Sequence, residues 1–486
     1  MQKKFITNLV LILVLNALVK PFYILGIDAE VLKQVEASNP GSYGEYFSLV
    51  GITFILNIFL DLGITNFNTK NIAQNSHLLK KHFSKILTLR ALLSIGYMLL
   101  ILITGLFLGY TKQQFEILGI LALNQVLVAF ILYFRSNLAG LLLFKQDSII
   151  SVLDRILLIA ICSVLLWGEI TEQSFKIEWF VYAQTFSYAF TAFVAGLLVL
   201  KRAGKIQFDF NKKFSWIIIK KSIPFAILIL LTMTSYKTDG IMLERMLPDG
   251  GIEAAIYARG YRFFEAFNMV GYLFAGLLLP IFARMIKLRQ DVSDILYFAF
   301  KLILTFSITL GVLSFFYQEE IIHWRFESEG KELLQASKSF GMLMISFIFM
   351  GITYIFGTLL TANGSLKWLN ITALTAVILN VVLNYIIIPT HGAYGAAITS
   401  LITQTLTALI QIYLVFRIIK VEFDLRKLTT ILTFTITICV MGYYSQQLHF
   451  HWAIKYLVGI VISGIIALTS GMVSVKGILG ILKGEN

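Results

Sequence analysis

The sequence predicts an all-α polytopic membrane protein of about fourteen transmembrane helices, arranged as two six-helix lobes followed by two C-terminal helices. Three observations predict it. Apolar residues make up 58% of the 486 residues and charged residues 14%, against roughly 45–50% and 25% in a typical soluble domain. Runs of about 20 mostly apolar residues, long enough to cross the hydrocarbon core, recur along the chain. Basic residues gather in alternate connections between those runs. With a mean hydropathy of +0.81, the chain has too little polar surface to coat a water-soluble globule of this size. The composition also excludes a disordered chain and a disulfide-stapled secreted domain.

In order, the expected spans are 5–27, 43–64, 86–109, 117–137, 149–168, 179–200, 216–240, 254–282, 294–317, 337–360, 369–388, 393–416, 428–445 and 455–474. The first begins like a signal peptide, with Lys3-Lys4 before an apolar run. It lacks a small-x-small cleavage site and continues through Lys20-Pro21 to Gly26, so it reads as a retained span. With the N-terminus inside, the inner connections hold 25 Lys and Arg residues and the outer ones 6. That bias predicts both termini on the cytoplasmic side and an even number of spans. It also explains the net charge of +13 without nucleic acid, for which no basic foldable module is present.

The longest inner segment, 201–215, is basic and follows the sixth span. It is expected to link an N-lobe (1–200) to a C-lobe (216–416), with 417–486 added after them. The two lobes share unusual features. Lys4 and Lys20 lie sixteen residues apart in the first span, as do Lys221 and Lys237 in the seventh, with Pro21 and Pro224 nearby. Helical rise puts both deep lysines about 24 Å from the inner interface. Each second span opens on tyrosines, Tyr43 and Tyr46 in one lobe and Tyr257 and Tyr261 in the other. Interfacial enrichment of tyrosine is the bland explanation.

Charges inside the spans mark candidate sites, because each costs about 2.5–3.5 kcal/mol on insertion scales unless paired or hydrated. They are Lys20 with Asn16 one turn before it, Asp154-Arg155, Lys237 with Asp239, the series Arg259, Arg262 and Glu265, then Lys301, Asp61 and Arg90. Several have ordinary readings. Arg262 and Glu265 are spaced to neutralise one another. Lys301 is placed to snorkel. Asp61 and Arg90 stand close enough to the inner face to be interface residues. The remaining reading is a net-cationic cavity built by Lys20, Arg155, Lys237, Arg259 and Arg262, with Asn16, Asp61, Asp239, Glu265, Tyr43 and Tyr257 in support. Such a cavity suits a dense anion: Arg presents a planar fork to phosphate oxygens and Lys a compact charge. A lipid-linked diphosphate meets that demand.

Enzyme chemistry finds little support. The sequence has no P-loop, HExxH or GxSxG motif and no His/Cys cluster. Cys162 and Cys439 lie far apart in apolar runs. No cofactor or metal is expected. Without an ATP site, active transport must draw on an ion gradient, Na+ or H+, or on the substrate's own gradient.

The order Gly44-Glu45-Tyr46-Phe47, then Leu60-Asp61-Leu62-Gly63-Ile64, resembles the start of the Wzx-like polysaccharide flippases. Those belong to the superfamily that also holds MATE multidrug exporters and the lipid-II flippase. Lys237-Thr238-Asp239-Gly240 followed by Tyr257-Ala258-Arg259-Gly260-Tyr261-Arg262 resembles the family's seventh and eighth spans, and Leu278-Leu279-Pro280 before a basic loop is a third likeness. The resemblance implies two six-helix bundles in a V with two extra helices. It also implies export of an undecaprenyl-diphosphate-linked oligosaccharide across the bacterial inner membrane for O-antigen, lipopolysaccharide, capsule or a similar polymer. The family's basic cavity residues fall on Lys237, Arg259 and Arg262 by motif, and on Lys20 and Arg155 by helix position. A monomer is expected, working beside a polysaccharide polymerase. A MATE-like cation-coupled drug antiporter and a membrane polymerase or ligase of the same pathway remain as alternatives.

Overall fold

The computed structural model describes residues 14–65, 68–69, 72, 78–141, 143–169, 173–204, 211–421 and 425–473. Among them, all regular structure is helical. That is the outcome hydrocarbon enforces, since a helix satisfies its own backbone hydrogen bonds where water is absent.

The elements are α1 (14–38), α2 (Ser42–Asp61), α3 (Leu78–Leu108), α4 (Lys112–Gly140), α5 (Phe144–Trp167), α6 (Ile177–Ala203), α7 (Lys212–Met246), α8 (Gly250–Lys287), α9 (Ser293–Phe316), α10 (Gln318–Phe326), α11 (Gly330–Ala362), α12 (Leu366–Ile418), α13 (Leu425–Gln446) and α14 (Trp452–Thr469). Twelve described helices are long and apolar enough to cross a membrane. One of them, α12, has 53 residues and holds two expected spans fused at Gly392, whose φ of 53° and ψ of −136° break the helix. Pro389, three residues earlier, cannot donate its share of the ladder. Counting α12 twice and adding α1 gives the fourteen spans expected.

The first span differs from expectation in its end point. Helix α1 runs on past Gly26 to Ser38, and its turn Tyr23–Asp28 is π-helical. The start of that span, 5–13, and the inner lysines Lys3 and Lys4 lie outside the described residues.

Packing divides the chain into two compact units, Met1–Ala255 and Ile256–Asn486. The division falls inside α8, beyond the 201–215 segment read as a linker, of which 205–210 lie outside the described residues. The physical reason is that α7 packs on α2. In the first unit the close approach continues past α7. A Cβ at Gly44 would stand 1.7 Å from the Gly251 carbonyl oxygen, so only glycine lets α2 meet the first turn of α8. In the second unit, α13 and α14 lie against α9. Leu304, Ile308 and Val312 interdigitate there with Ile431, Phe434, Ile438 and Ala467, all buried.

Candidate functional site

In the first unit, α1, α5 and α6 bring together the charges of the first and fifth spans. Asn16 is buried and donates from Nδ2 to the Ser151 hydroxyl at 3.0 Å, tying α1 to α5. One turn on, Lys20 is half-buried, and the charges acting on it are Arg155, Arg135 and Asp154. Lys20 makes no hydrogen bond or ion pair among the described residues.

Arg155 is held on three sides. Its Nη1 donates to the Tyr188 hydroxyl at 2.8 Å. Its guanidinium lies over the Tyr23 ring at 4.7 Å and the Tyr188 ring at 5.5 Å. Asp154 is 3.9 Å away, and its Oδ1 accepts instead from the Arg155 backbone N–H at 2.8 Å. The planar group is thus oriented by aromatic faces, an arrangement worth more as it is desolvated, while its adjacent carboxylate is turned partly aside.

About two turns beyond Lys20, α1 carries Asp28, 5% exposed, which accepts from the Tyr43 hydroxyl at 2.6 Å. Tyr43 lies 5.4 Å from Tyr46 between ring centroids, and the Tyr46 hydroxyl accepts from Gln184 of α6 at 2.8 Å. Lys20, Arg155 and Tyr43 therefore belong to one polar tract along α1 within the first unit. Tyr23, Asp28, Tyr188 and Gln184 join it without having been singled out by sequence. Asp28 is the one that could have been found, as a carboxylate two residues after a long apolar run.

Lys237 sits elsewhere in the same unit, on α7 against α2, with its ammonium 5.3 Å from the Phe54 ring and 6.0 Å from Phe47. Asp239, two residues on, is 1% exposed.

Asp61 and Arg90, which lie near the inner ends of their spans in the sequence reading, bond to one another. Arg90 is 1% exposed and ion-paired to Asp61, and it also donates to Thr65 and to the Ala129 carbonyl at 2.8 Å. Arg135, counted as a loop charge, is instead bonded to Asp147 at 2.7 Å.

In the second unit, Arg259 and Arg262 of α8 both have carboxylate partners. Arg262 donates to Glu265 one turn on at 2.6 Å, the self-neutralising alternative. Arg259 donates to Ser328 at 2.5 Å and pairs with Glu332 at the start of α11, below the Phe326 ring. Arg259 thereby fastens α10 and the start of α11 to α8. Tyr257 stacks on Tyr261 at 5.8 Å and reaches the Ser400 hydroxyl at 3.5 Å. Lys301 donates from its ammonium to the Gly471 carbonyl, just past the end of α14, at 2.9 Å.

Solved structures of similar fold fit this architecture. A lipid II flippase, MurJ, in an inward closed conformation shares 17% identity over 93% of this chain and 98% of its own, with a TM-score of 0.73. A MATE-family multidrug resistance transporter in an inward-facing conformation shares 14% identity over 82% of this chain and 95% of its own, with a TM-score of 0.64. A superfamily transporter from Pyrococcus furiosus, described as having a binding pocket of reversed polarity, shares 14% identity over 87% and 97%, with a TM-score of 0.62. No curated protein matches the sequence. A family model for polysaccharide biosynthesis proteins matches residues 39–286, just over half the chain. That stretch opens two residues before Gly41, takes in the Tyr43–Asp61 stretch and the Arg155 clamp, and ends one residue before the close of α8; the chain belongs to the polysaccharide biosynthesis protein family.

Proposed function

We propose that the protein is a flippase moving a polyprenyl-diphosphate-linked oligosaccharide across the cytoplasmic membrane by alternating access, for cell-surface polysaccharide synthesis. The observation that carries the reading is the tract of Lys20 and Arg155. Lys20 is an intramembrane cation with no direct partner among the described residues, set beside a second cation that two tyrosines hold in place. Two such charges repel until an anion bridges them, so a diphosphate is the ligand that relieves the arrangement. The tyrosine groups further along α1 and α2, with the Gln184 amide of α6, offer hydroxyl-matching partners to the first sugar. Arg259 and Arg262, already paired with Glu332 and Glu265, serve the second unit's architecture before they serve a ligand.

In this reading substrate binding offsets the repulsion and shifts the balance between inward- and outward-open states. The chain acts as a monomer with both termini cytoplasmic, beside a polymerase, and any coupling runs on Na+ or H+.

The test is transport of fluorescent polyprenyl-diphosphate oligosaccharide in vesicles, with surface glycan scored in cells. Lys20→Ala and Lys20→Glu are expected to abolish both, with membrane levels of the protein unchanged. Lys20→Arg keeps the charge and should retain partial transport. Normal surface glycan in Lys20→Ala cells, or dye efflux in place of lipid transport, would overturn the reading.

A further inference from the structure

A second feature of the first unit lies away from the Lys20 tract, at the end where α2, α4 and α6 begin. A cavity of about 320 Å³ opens there, lined by Asn39, Ser42, Gln113, Ser174, Lys176 and Glu178. It stands at the small end of the usual range for ligand pockets, about 300–1,000 Å³. Gln113 donates to Glu178 at 3.2 Å and braces the α4 wall against the α6 wall. The side chains of Asn39, Ser42, Ser174 and Lys176 make no hydrogen bond among the described residues.

A cleft of about 370 Å³ runs beside it between α5 and α6, lined by Ile161, Leu165, Trp179, Tyr182 and Phe186. Trp179, Tyr182 and Phe186 lie on one face of α6 and span about 10 Å of helix. Tyr182 is 55% exposed and Phe186 58%. The cleft therefore starts at the mouth of the bundle and descends toward the hydrocarbon. Cavity and cleft join at one aromatic pair. The Phe175 ring that lines the cavity meets the Trp179 ring of the cleft edge to face, with centroids 5.9 Å apart.

A polar cavity at the membrane surface continuous with an apolar, lipid-facing cleft is the shape of an amphiphile. The charges narrow its headgroup. Lys176 and the unbonded hydroxyls and amide offer donors to a phosphate. Among the described residues Glu178 accepts from one group, Gln113, and retains capacity for a cation. A headgroup with negative charge alone would place that charge against Glu178. A diphosphate carrying a sugar chain would do so more strongly and would not fit the volume.

We infer that this cavity and cleft bind a membrane phospholipid with a zwitterionic, amine-bearing headgroup of the phosphatidylethanolamine type. Its phosphate meets Lys176, Ser174 and Asn39, its ammonium meets Glu178, and an acyl chain lies along Trp179, Tyr182 and Phe186. The bound lipid fixes the start of α6 at the membrane surface, whatever cargo the protein carries.

The full chain, purified in detergent and stripped of lipid, is offered an equimolar mixture of phosphatidylethanolamine, phosphatidylglycerol and undecaprenyl diphosphate, and retained lipid is weighed by native mass spectrometry. The expected result is one retained phosphatidylethanolamine in preference to the others. Lys176→Glu lowers its retention about two- to fivefold, the range of an exposed ion pair. Glu178→Gln shifts the ratio toward phosphatidylglycerol by a similar factor. Phe186→Ser weakens both phospholipids alike. Lys176→Met preserves the bulk of the stem and controls for packing, and should resemble Lys176→Glu in direction. Equal retention of the three lipids by the unaltered chain, preference for either anionic lipid, or phosphatidylethanolamine retention unchanged in both charge variants overturns the inference.

Discussion

Residue by residue, the buried charges fall into three kinds. Arg90 is enclosed and needs its carboxylate. Asp61→Ala leaves that guanidinium uncompensated and is expected to cost about 3–5 kcal/mol, seen as a large drop in unfolding temperature in detergent, or as loss of the protein from the membrane. Asp61→Asn keeps an acceptor for Arg90 and Thr65 and should cost clearly less; equal loss in both variants would count against a charge-based account. Arg259 differs because its partner Glu332 is 43% exposed. Glu332→Ala is expected to cost only about 0.5–1 kcal/mol, after allowing for solvent screening. A double-mutant cycle of Arg259→Ala with Glu332→Ala measures the coupling directly. Arg155 is a third case, since its orientation depends on Tyr188. Tyr188→Phe removes a hydrogen bond to a charged group, about 1.5–3 kcal/mol where buried, while keeping the ring beneath the guanidinium. Transport should fall while the protein's level holds, and if transport is unaffected the clamp does not position Arg155 for ligand.

At the level of elements, glycines separate two kinds of helix contact. Gly44→Ala would drive a methyl into the Gly251 carbonyl and the Ala255 backbone N–H, both backbone atoms with nowhere to move. Gly96→Ala meets nothing within 4 Å and should gain about 0.5–1 kcal/mol from helix propensity. Thermal unfolding of the two variants should therefore move in opposite directions. Gly392→Ala forces a side chain into a left-handed position at about 1–2 kcal/mol, a loss that should disappear if the junction can straighten. The spans themselves were legible because hydrocarbon permits so few answers. A run of about 20 apolar residues has one way to satisfy its backbone, and the basic connections then fix the alternation. The fusion at Gly392 was not legible, since a kinked helix and a very short loop share the same composition. Lys20 and Arg155 were found because an intramembrane charge stands out against its surroundings. Their companions Tyr23, Tyr188 and Asp28 were not, because tyrosine is unremarkable in a span and the contacts arise between helices far apart in sequence. Glu332 escaped notice for the opposite reason: as a loop carboxylate it looked solvated, and only the docking of α10 and α11 brings it to Arg259.

For the whole molecule, the prediction concerns sidedness. The uneven distribution of Lys and Arg between alternate connections implies that Lys176 and Gln113 face outward and Arg289 inward. Introduced single cysteines at Gln113 and Arg289, in a chain whose Cys162 and Cys439 have been replaced, should react with an impermeant maleimide in intact cells only at position 113. Labelling at 289 instead would invert the topology. The two compact units and the C-terminal pair packed on α9 show how the family architecture is assembled here.

The π-helical turn at Tyr23–Asp28 makes α1 a shaft with a phase shift cut into it. A π turn accommodates one residue more than an α turn, so everything beyond it is rotated relative to everything before. Lys20 lies on the near side and Asp28 closes the turn. Wound as a regular α-helix, the same residues would swing the carboxylate that now meets Tyr43 by roughly a quarter of a revolution, whereas removing one residue from the turn, for example Leu25, would restore regular winding and leave that carboxylate in place. The turn acts as a gear with one tooth to spare: it lets the helix carry an additional residue while its two ends still address the same neighbours.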